Sequence, residues 1–337
     1  MINIALLGFG TIGGGVAGVL EKNGDMIAAR LHDRLNIKYI LDLREFPDSP
    51  YHDRIVHDMN TIVSDPEVSV VVEMMGGVHP AVDFTEAALK AGKSVVTSNK
   101  AAVAARGPEL LAIARENGVR YLFEASVGGG IPVIRPIIDD LASNEIICIR
   151  GILNGTTNYM LTKMTSEGAS YADVLKEAQK LGYAEADPTA DVEGFDAARK
   201  ILILAALAYG KLIPLDRISV TGISGITKED IAAAAAEGKK IKLIASVKKD
   251  GNGKILAKVA PEKVAPSSLL YSVDDVFNAV EVTGNMLGEA VFYGKGAGRD
   301  ATAGAVVADI IDAAEKKFAA PPRLNWKWAD VSDIAEG

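Results

Sequence analysis

The sequence predicts an α/β chain in two parts, a parallel sheet wound with helices over residues 1–131 and an α+β part from residue 132 onward. Three observations carry this reading. An apolar strand opens the chain and runs straight into a glycine-rich turn; short β-branched runs then alternate with helical stretches as far as Phe123; and in the later half strands follow one another with hairpin chemistry between them. At 337 residues the chain exceeds a single core, so two domains are expected.

Asn3 to Leu7 form the first strand, and Gly8-Phe9-Gly10-Thr11-Ile12-Gly13 follows at once, with Gly14 to Leu20 continuing as a helix. This is GxGxxG in the context it needs. The first glycine permits the tight turn, the second lets backbone approach a pyrophosphate, and the third lets helix pack on strand, while the helix N-terminus offers free N–H groups to phosphate. The first domain is therefore read as a Rossmann-type dinucleotide-binding domain. A second strand, Ile37 to Leu41, ends in Asp42-Leu43-Arg44. Asp42 stands where a ribose-binding acid belongs, later than the usual ~20 residues after the glycines, the excess being the polar segment Glu21 to Asn36. Its carboxylate suits a free ribose hydroxyl, whereas Arg44 suits a 2′-phosphate, so NAD and NADP both stay open.

The third strand, Val68 to Met74, ends in Gly76-Gly77, and a helix from Pro80 to Ala91 leads into Ser94 to Thr97. Ligands gather at the C-terminal ends of such strands, which puts Ser98-Asn99-Lys100 at the cofactor edge. Lys100 is a candidate to polarise a substrate oxygen; the plain alternative is a surface lysine. A helix from Pro108 to Asn117 and a strand from Arg120 to Phe123 precede Glu124-Ala125-Ser126-Val127-Gly128-Gly129-Gly130-Ile131-Pro132. That loop suits either a monovalent cation held by carbonyl oxygens or a domain hinge.

The second part opens with a helix from Ile134 to Ala142, then apolar Ile146 to Leu153, then the turn Asn154-Gly155-Thr156-Thr157-Asn158-Tyr159, whose hydroxyls and amides suit either a small polar substrate or solvent. Gly182 to Lys200 reads GYAEADPTADVEGFDAARK. Pro188 and Gly194 keep Glu185, Asp187 and Asp191 on a loop, and from Phe195 the chain becomes a helix too apolar for a surface. Asp196 and Lys200, four residues apart, share a face at its N-terminal end. An ordinary ion pair is one reading; a lysine facing loop carboxylates and exchanging protons is the other. Ile241 to Val247 and Ile255 to Val259 are joined by Lys249-Asp250-Gly251-Asn252-Gly253, a hairpin loop, and Val276 to Thr283 and Ala290 to Tyr293 add two more strands. Gly294 to Gly298 is a second glycine loop. Arg299 to Phe318 is a helix, and the tail from Ala319 to residue 337 is expected at the surface.

Composition narrows the function. Hydrophobic residues make up 49%, but in runs too interrupted to span a bilayer, and the chain starts on a strand, so a soluble cytoplasmic protein is expected with no membrane contact. A net charge of −8 with only short basic pairs argues against nucleic acid. The single cysteine, Cys148, lies in an apolar run and reads as core, and the four histidines lack metal-ligand spacing. Acid–base chemistry therefore falls to lysine and carboxylate.

GFGTIGGG, VVTSNKA, FEASVGGGIP, GILNGTTNYML, GYAEADPTADVEGFDAARK and YGKGAGRDATAGAVVADI, in that order, resemble homoserine dehydrogenases over roughly residues 1–315. The resemblance implies reversible NAD(P)-dependent interconversion of L-homoserine and L-aspartate 4-semialdehyde in threonine and methionine biosynthesis, by a homodimer whose second domain, residues 132–298, binds substrate and dimerises. It further implies Lys200 as proton donor and acceptor with Lys100 as its partner; Glu185 and Asp196 on homoserine with Asp191 close by; Gly182 and Gly298 against the cofactor; and Glu124, Val127, Gly129 and Ile131 around sodium. By the resemblance the helix 299–318 is expected to return to the nucleotide domain, although its apolar face equally suits packing within the second domain. At this length no fused aspartate kinase or added ligand-sensing domain is expected. The competing readings are a dinucleotide-binding sensor without turnover and a dehydrogenase of another small hydroxy amino acid.

Overall fold

In the computed structural model, residues 1–315 and 324–335 are described. The chain divides into two units, Met1–Gly130 with Gly298–Lys327, and Ile131–Ala297 with Trp328–Gly337. No helix among the described residues is long and apolar enough to cross a membrane.

The first unit is built on six parallel strands: β1 (Ile2–Leu7), β2 (Leu35–Leu41), β3 (Ile55–Val56), β4 (Val68–Glu73), β5 (Ser94–Thr97) and β6 (Tyr121–Leu122), in the order β3-β2-β1-β4-β5-β6. The parallel sheet expected from the alternating pattern is present, with the two-residue β3 added at its edge. β4 reads VSVVVE and is buried at all but Ser69, as a strand covered on both faces requires. Helices α1 (Thr11–Leu31), α2 (Met59–Val63), α3 (Ala81–Lys90) and α4 (Lys100–Glu116) connect the strands. α1 takes up most of the segment expected to be a polar excess before β2 and ends at His32 in the left-handed region.

α4 begins eight residues earlier than the expected Pro108. Asn99 caps it, its side chain accepting from the N–H groups of Ala101 and Ala102, and Pro108 falls just after a break at Arg106 (φ −143°), where a proline restarts a helix without losing a hydrogen bond.

The last helix of this unit, α11 (Arg299–Ala314), packs on α1: a Cβ at Gly15 would stand 3.0 Å from the Ala303 methyl. Val306 and Ile310 join the core with Ile4, Leu6 and Val16. The expected helix end at Phe318 lies outside the described residues. The tail was expected at the surface, yet in its described part Trp326 is 4% exposed, its ring 5.3 Å from Phe123, and Asn325 accepts a 2.7 Å hydrogen bond from Arg115. An indole beside an aromatic strand end is worth more buried than solvated, which outweighs the lack of periodicity.

The second unit is a six-stranded sheet, β13-β12-β7-β10-β11-β9, made from β7 (Ile146–Ile152), β9 (Ser219–Val220), β10 (Lys240–Lys249), β11 (Ile255–Val264), β12 (Phe277–Gly284) and β13 (Gly288–Lys295). It is antiparallel except where β9 joins β11. A short strand, β8 (Lys211–Leu212), lies apart from it, and Ala329 N–H reaches the Leu212 carbonyl at 2.9 Å. The β10–β11 hairpin turns as its sequence predicts, Asp250 accepting from the N–H groups of Asn252 and Lys254.

The helices here are α5 (Ile134–Ile138), α6 (Gly155–Glu167), α7 (Tyr171–Lys180), α8 (Thr189–Val192), α9 (Phe195–Tyr209) and α10 (Lys228–Ala236). α5 is shorter than expected. The run from Asn154 to Tyr159, expected as a turn, is the cap and first turns of α6.

Candidate active site

In the first unit the strand order reverses direction between β1 and β4, and the connections leaving their C-terminal ends part there. A cavity of about 500 Å³ opens at that point, lined among others by Gly8, Gly10, Asp42, Arg44, Met74 and Gly76. Gly8 has φ +91°, and a Cβ at Gly13 would stand 2.2 Å from the Gly8 carbonyl oxygen, so the turn admits no side chain at the third glycine. A Cβ at Gly10 meets only the tip of Arg44 at 3.9 Å, which leaves its backbone open to a ligand. Thr11 and Ile12 follow as the first residues of α1, whose unpaired N–H groups face this end.

Asp42 directly follows β2 at the rim. One of its oxygens accepts from Phe9 N–H at 2.8 Å, and Arg44 forks onto both through Nε at 3.0 Å and Nη2 at 2.9 Å. The Arg44 hydrogen bonds hold the Asp42 carboxyl well below the usual carboxylate range, against the opposing effect of burial, with the Phe9 amide helping. The Arg44 side chain remains 61% exposed. Ser98 follows β5, its N–H 3.4 Å from the Glu73 carbonyl, and Lys100 is the first residue of α4. Gly298, φ +124°, precedes α11, from which Arg299 donates to the Gly14 carbonyl at 3.1 Å. Glu124 is buried, and its N–H donates to Asp309 of α11 at 2.8 Å; Val127 is fully buried and Gly129 turns at φ +57°. Ile131 belongs to the second unit.

That unit holds the charged cluster. From Ile201 to Ala206 α9 is apolar on every side because it is buried all round, and glycines with positive φ, Gly194 and Gly210, bound the helix. On its first turns Lys200 donates to Asp196 Oδ2 at 2.7 Å and to the Leu153 carbonyl at 2.7 Å, and both side chains are about a tenth exposed or less. Asn154 adds to them. Its Oδ1 caps α6 by accepting from Thr157 N–H at 2.8 Å, which aims its Nδ2 at Asp191 Oδ1 (2.7 Å) and Asp196 Oδ2 (2.9 Å). An ammonium is thus held between a carboxylate and a carbonyl, oriented by an amide that a helix end fixes. Such a group can hand a proton to an oxygen placed beside it.

Of the residues expected from sequence, Lys200, Asp196 and Asp191 come together here. Glu185 stays exposed on the loop before α8, its carbonyl accepting from Gln179 at 3.1 Å. The Thr156 hydroxyl donates to the Tyr183 carbonyl at 2.6 Å and so ties α6 to that loop. Gly182, φ +75°, follows the end of α7 on the same loop, a role for glycine that needs no cofactor.

The family models for homoserine dehydrogenase and for the NAD-binding domain of homoserine dehydrogenase match residues 132–311 and 8–124. The chain belongs to the homoserine dehydrogenase family. It is 44% identical to the homoserine dehydrogenase of Neisseria gonorrhoeae, over 93% of this chain and 72% of that one, and 43% identical to that of Bacillus subtilis, over 92% and 72%. Among solved structures, a homoserine dehydrogenase from Thiobacillus denitrificans superposes with a TM-score of 0.91 at 40% identity, over 99% of this chain and 78% of that one. A hyperthermophilic archaeal homoserine dehydrogenase in complex with NADPH gives 0.79 at 29%, over 93% and 97%. As a member of this family the chain is an NAD(P)-dependent oxidoreductase.

Sequence reasoning took Asn154 only as part of a turn suited to substrate or solvent, and missed that it caps α6 and hydrogen-bonds both Asp191 and Asp196. Its signal was present: an asparagine ahead of Gly-Thr-Thr at the end of an apolar strand is a helix cap.

Proposed function

We propose that this homoserine dehydrogenase interconverts L-homoserine and L-aspartate 4-semialdehyde with Lys200 as the proton-exchanging group. The observation that carries the reading is the buried Lys200–Asp196 pair with Asn154 and Asp191 around it. The nicotinamide, when bound, takes or gives the hydride at the substrate carbon. In the oxidative direction Lys200 takes up the hydroxyl proton as its neutral amine; the ammonium so formed is held in place by Asp196 and returns the proton in the other direction. Lys100 is proposed as a second cation for the same oxygen, favouring the charge that develops there. The test follows the absorbance of reduced cofactor with homoserine and then with other small hydroxy amino acids, using each cofactor in turn. Turnover confined to homoserine supports the reading; equal rates with unrelated hydroxy acids, or none at all, overturn it.

Glu185 is proposed to bind the substrate ammonium. Glu185→Gln keeps the shape and loses the charge, so KM for homoserine is expected to rise roughly ten- to a hundredfold, the scale of a hydrogen bond to a charged group. A fall in kcat at unchanged KM would assign Glu185 to the chemistry instead.

For the cofactor, Arg44 at the cavity rim supports NADP, as does the NADPH-bound archaeal relative, while Asp42 supports NAD; the ratio of kcat/KM for the two decides between them. The buried Glu124 carboxyl and the successive left-handed turns at Gly128 and Gly129 suit a hard cation held by oxygen, and sodium is proposed at Glu124, Val127, Gly129 and Ile131. Its removal into a choline-only buffer is expected to lower Tm, and an unchanged Tm counts against the site. A homodimer is proposed from the family resemblance, and a sedimentation mass of one chain would refute it.

A further inference from the structure

Glu73 closes β4, a strand otherwise made of four valines and Ser69 in the centre of the parallel sheet, and has no exposed surface. A carboxyl there costs far more to bury than the valine that packing alone would favour. Hydrogen bonds reach it from three neutral donors: Thr97 Oγ1 at 2.6 Å on one oxygen, and Met75 N–H at 2.8 Å and Asn99 Nδ2 at 3.4 Å on the other. Each donor belongs to a different part of the cofactor edge.

Met75 begins the turn after β4, Thr97 ends β5, and Asn99 caps α4. The last two are joined again, since Asn99 N–H donates to Thr97 Oγ1 at 2.9 Å. Asn99 also spans the gap to the first turn, its Nδ2 reaching the Gly77 carbonyl at 2.7 Å while its Oδ1 accepts from Ala101 N–H at 3.1 Å and Ala102 N–H at 3.2 Å. Lys100 lies between Asn99 and Ala101, so its backbone is bracketed on both sides by groups of this network.

We infer that Glu73 is a positioning residue for Lys100, fixing the first turn of α4 against the ends of β4 and β5; the inference rests on the role proposed for Lys100. Buried polar networks hold only when every member is satisfied. Replacing Glu73 by glutamine turns one acceptor into a donor, which faces either the Met75 N–H or the Thr97 hydroxyl, whose own proton then loses its acceptor. The α4 cap then loses its fixed point, and a shift of about an ångström at a reacting group costs up to about a hundredfold in rate.

The test is a double-mutant cycle on the full chain, with kcat for homoserine oxidation and the Kd of reduced cofactor read together. Glu73→Gln is expected to lower kcat roughly 10- to 100-fold in the parent background and less than about twofold when Lys100 is already alanine, because residues that act through one another do not add. Thr97→Val, which removes the hydroxyl at constant shape, is expected to show the same dependence on Lys100 and serves if Glu73→Gln does not fold. Equal losses in both backgrounds would mean a general structural role and overturn the inference, as would weakened cofactor binding at unchanged kcat. An active Lys100→Ala protein removes the underlying reading of Lys100 itself; an impaired Lys100→Ala beside a fully active Glu73→Gln removes only this inference.

Discussion

Replacing Lys200 by alanine is expected to lower kcat by roughly 10²–10⁴-fold, the contribution of general acid–base catalysis, with cofactor affinity largely kept. Oxidising an alcohol requires that its proton leave as the hydride does, and Lys200, as its neutral amine, is the proposed acceptor. Its nitrogen is held by Asp196 and the Leu153 carbonyl at 2.7 Å each, so both its place and its direction are set by protein. The same contacts make the substitution costly for folding. Breaking a buried ion pair by removing one partner typically costs about 3–5 kcal/mol, so Tm must be measured beside kcat and the assay run well below it. Lys200→Arg separates charge from proton exchange, because a guanidinium keeps its proton in the working pH range. If charge alone matters, arginine restores most of the activity. If the proton must move, arginine stays nearly as defective as alanine, and that is the expected result. A folded, fully active Lys200→Ala protein would remove the chemistry proposed for this site.

How far such a site could be read from sequence depended on how local its parts are. The Asp196–Lys200 pair was legible because helical spacing alone puts the two on one face. The place of Asn154 beside them was not, since its carboxylate partners lie 37 and 42 residues away, and only the tertiary fold brings the cap of α6 to α8 and the first turn of α9. The parallel sheet followed from the glycine turn and the alternation of β-branched runs, but β3, two residues long, carries no period to detect. Pro108 gave a plausible helix start that hid the real one at Lys100, because a broken helix restarting at proline looks like a new helix. Asn154 to Tyr159 misled in the opposite way: glycine, asparagine and threonine favour turns and helix caps alike, and the buried Met160, Leu161 and Met164 that make it a helix lie beyond the motif. In the tail the fault was one of weight, since periodicity says nothing of a single tryptophan such as Trp326 that finds an aromatic neighbour.

Gly13→Val is expected to cost cofactor binding almost as heavily, and through the loop itself. The sequence places the new side chain at the close helix–strand contact and in the path of the pyrophosphate, and the first of these is the nearer obstacle: a Cβ at Gly13 stands 2.2 Å from the Gly8 carbonyl oxygen and 3.1 Å from its carbon. Gly8 cannot retreat freely, as it turns at φ +91° with the Met74 carbonyl oxygen 3.3 Å from its own Cβ position. The end of β1 and the start of α1 must therefore move apart, carrying with them the N–H groups that face the phosphates. Overpacking of this kind costs typically about 1–3 kcal/mol, so the Kd of reduced cofactor should rise by roughly ten- to a hundredfold if the loop takes the strain, with no change in which hydroxy acid is oxidised. Gly14→Ala is the control. Its Cβ meets only the Arg299 guanidinium at 3.9 Å, an ordinary contact, and alanine favours the helix, so cofactor binding should stay within about twofold of the parent. Fluorescence titration of both variants, with circular dichroism to confirm folding, distinguishes the outcomes: a folded Gly13→Val protein that binds as tightly as Gly14→Ala would mean that the cofactor does not depend on this turn.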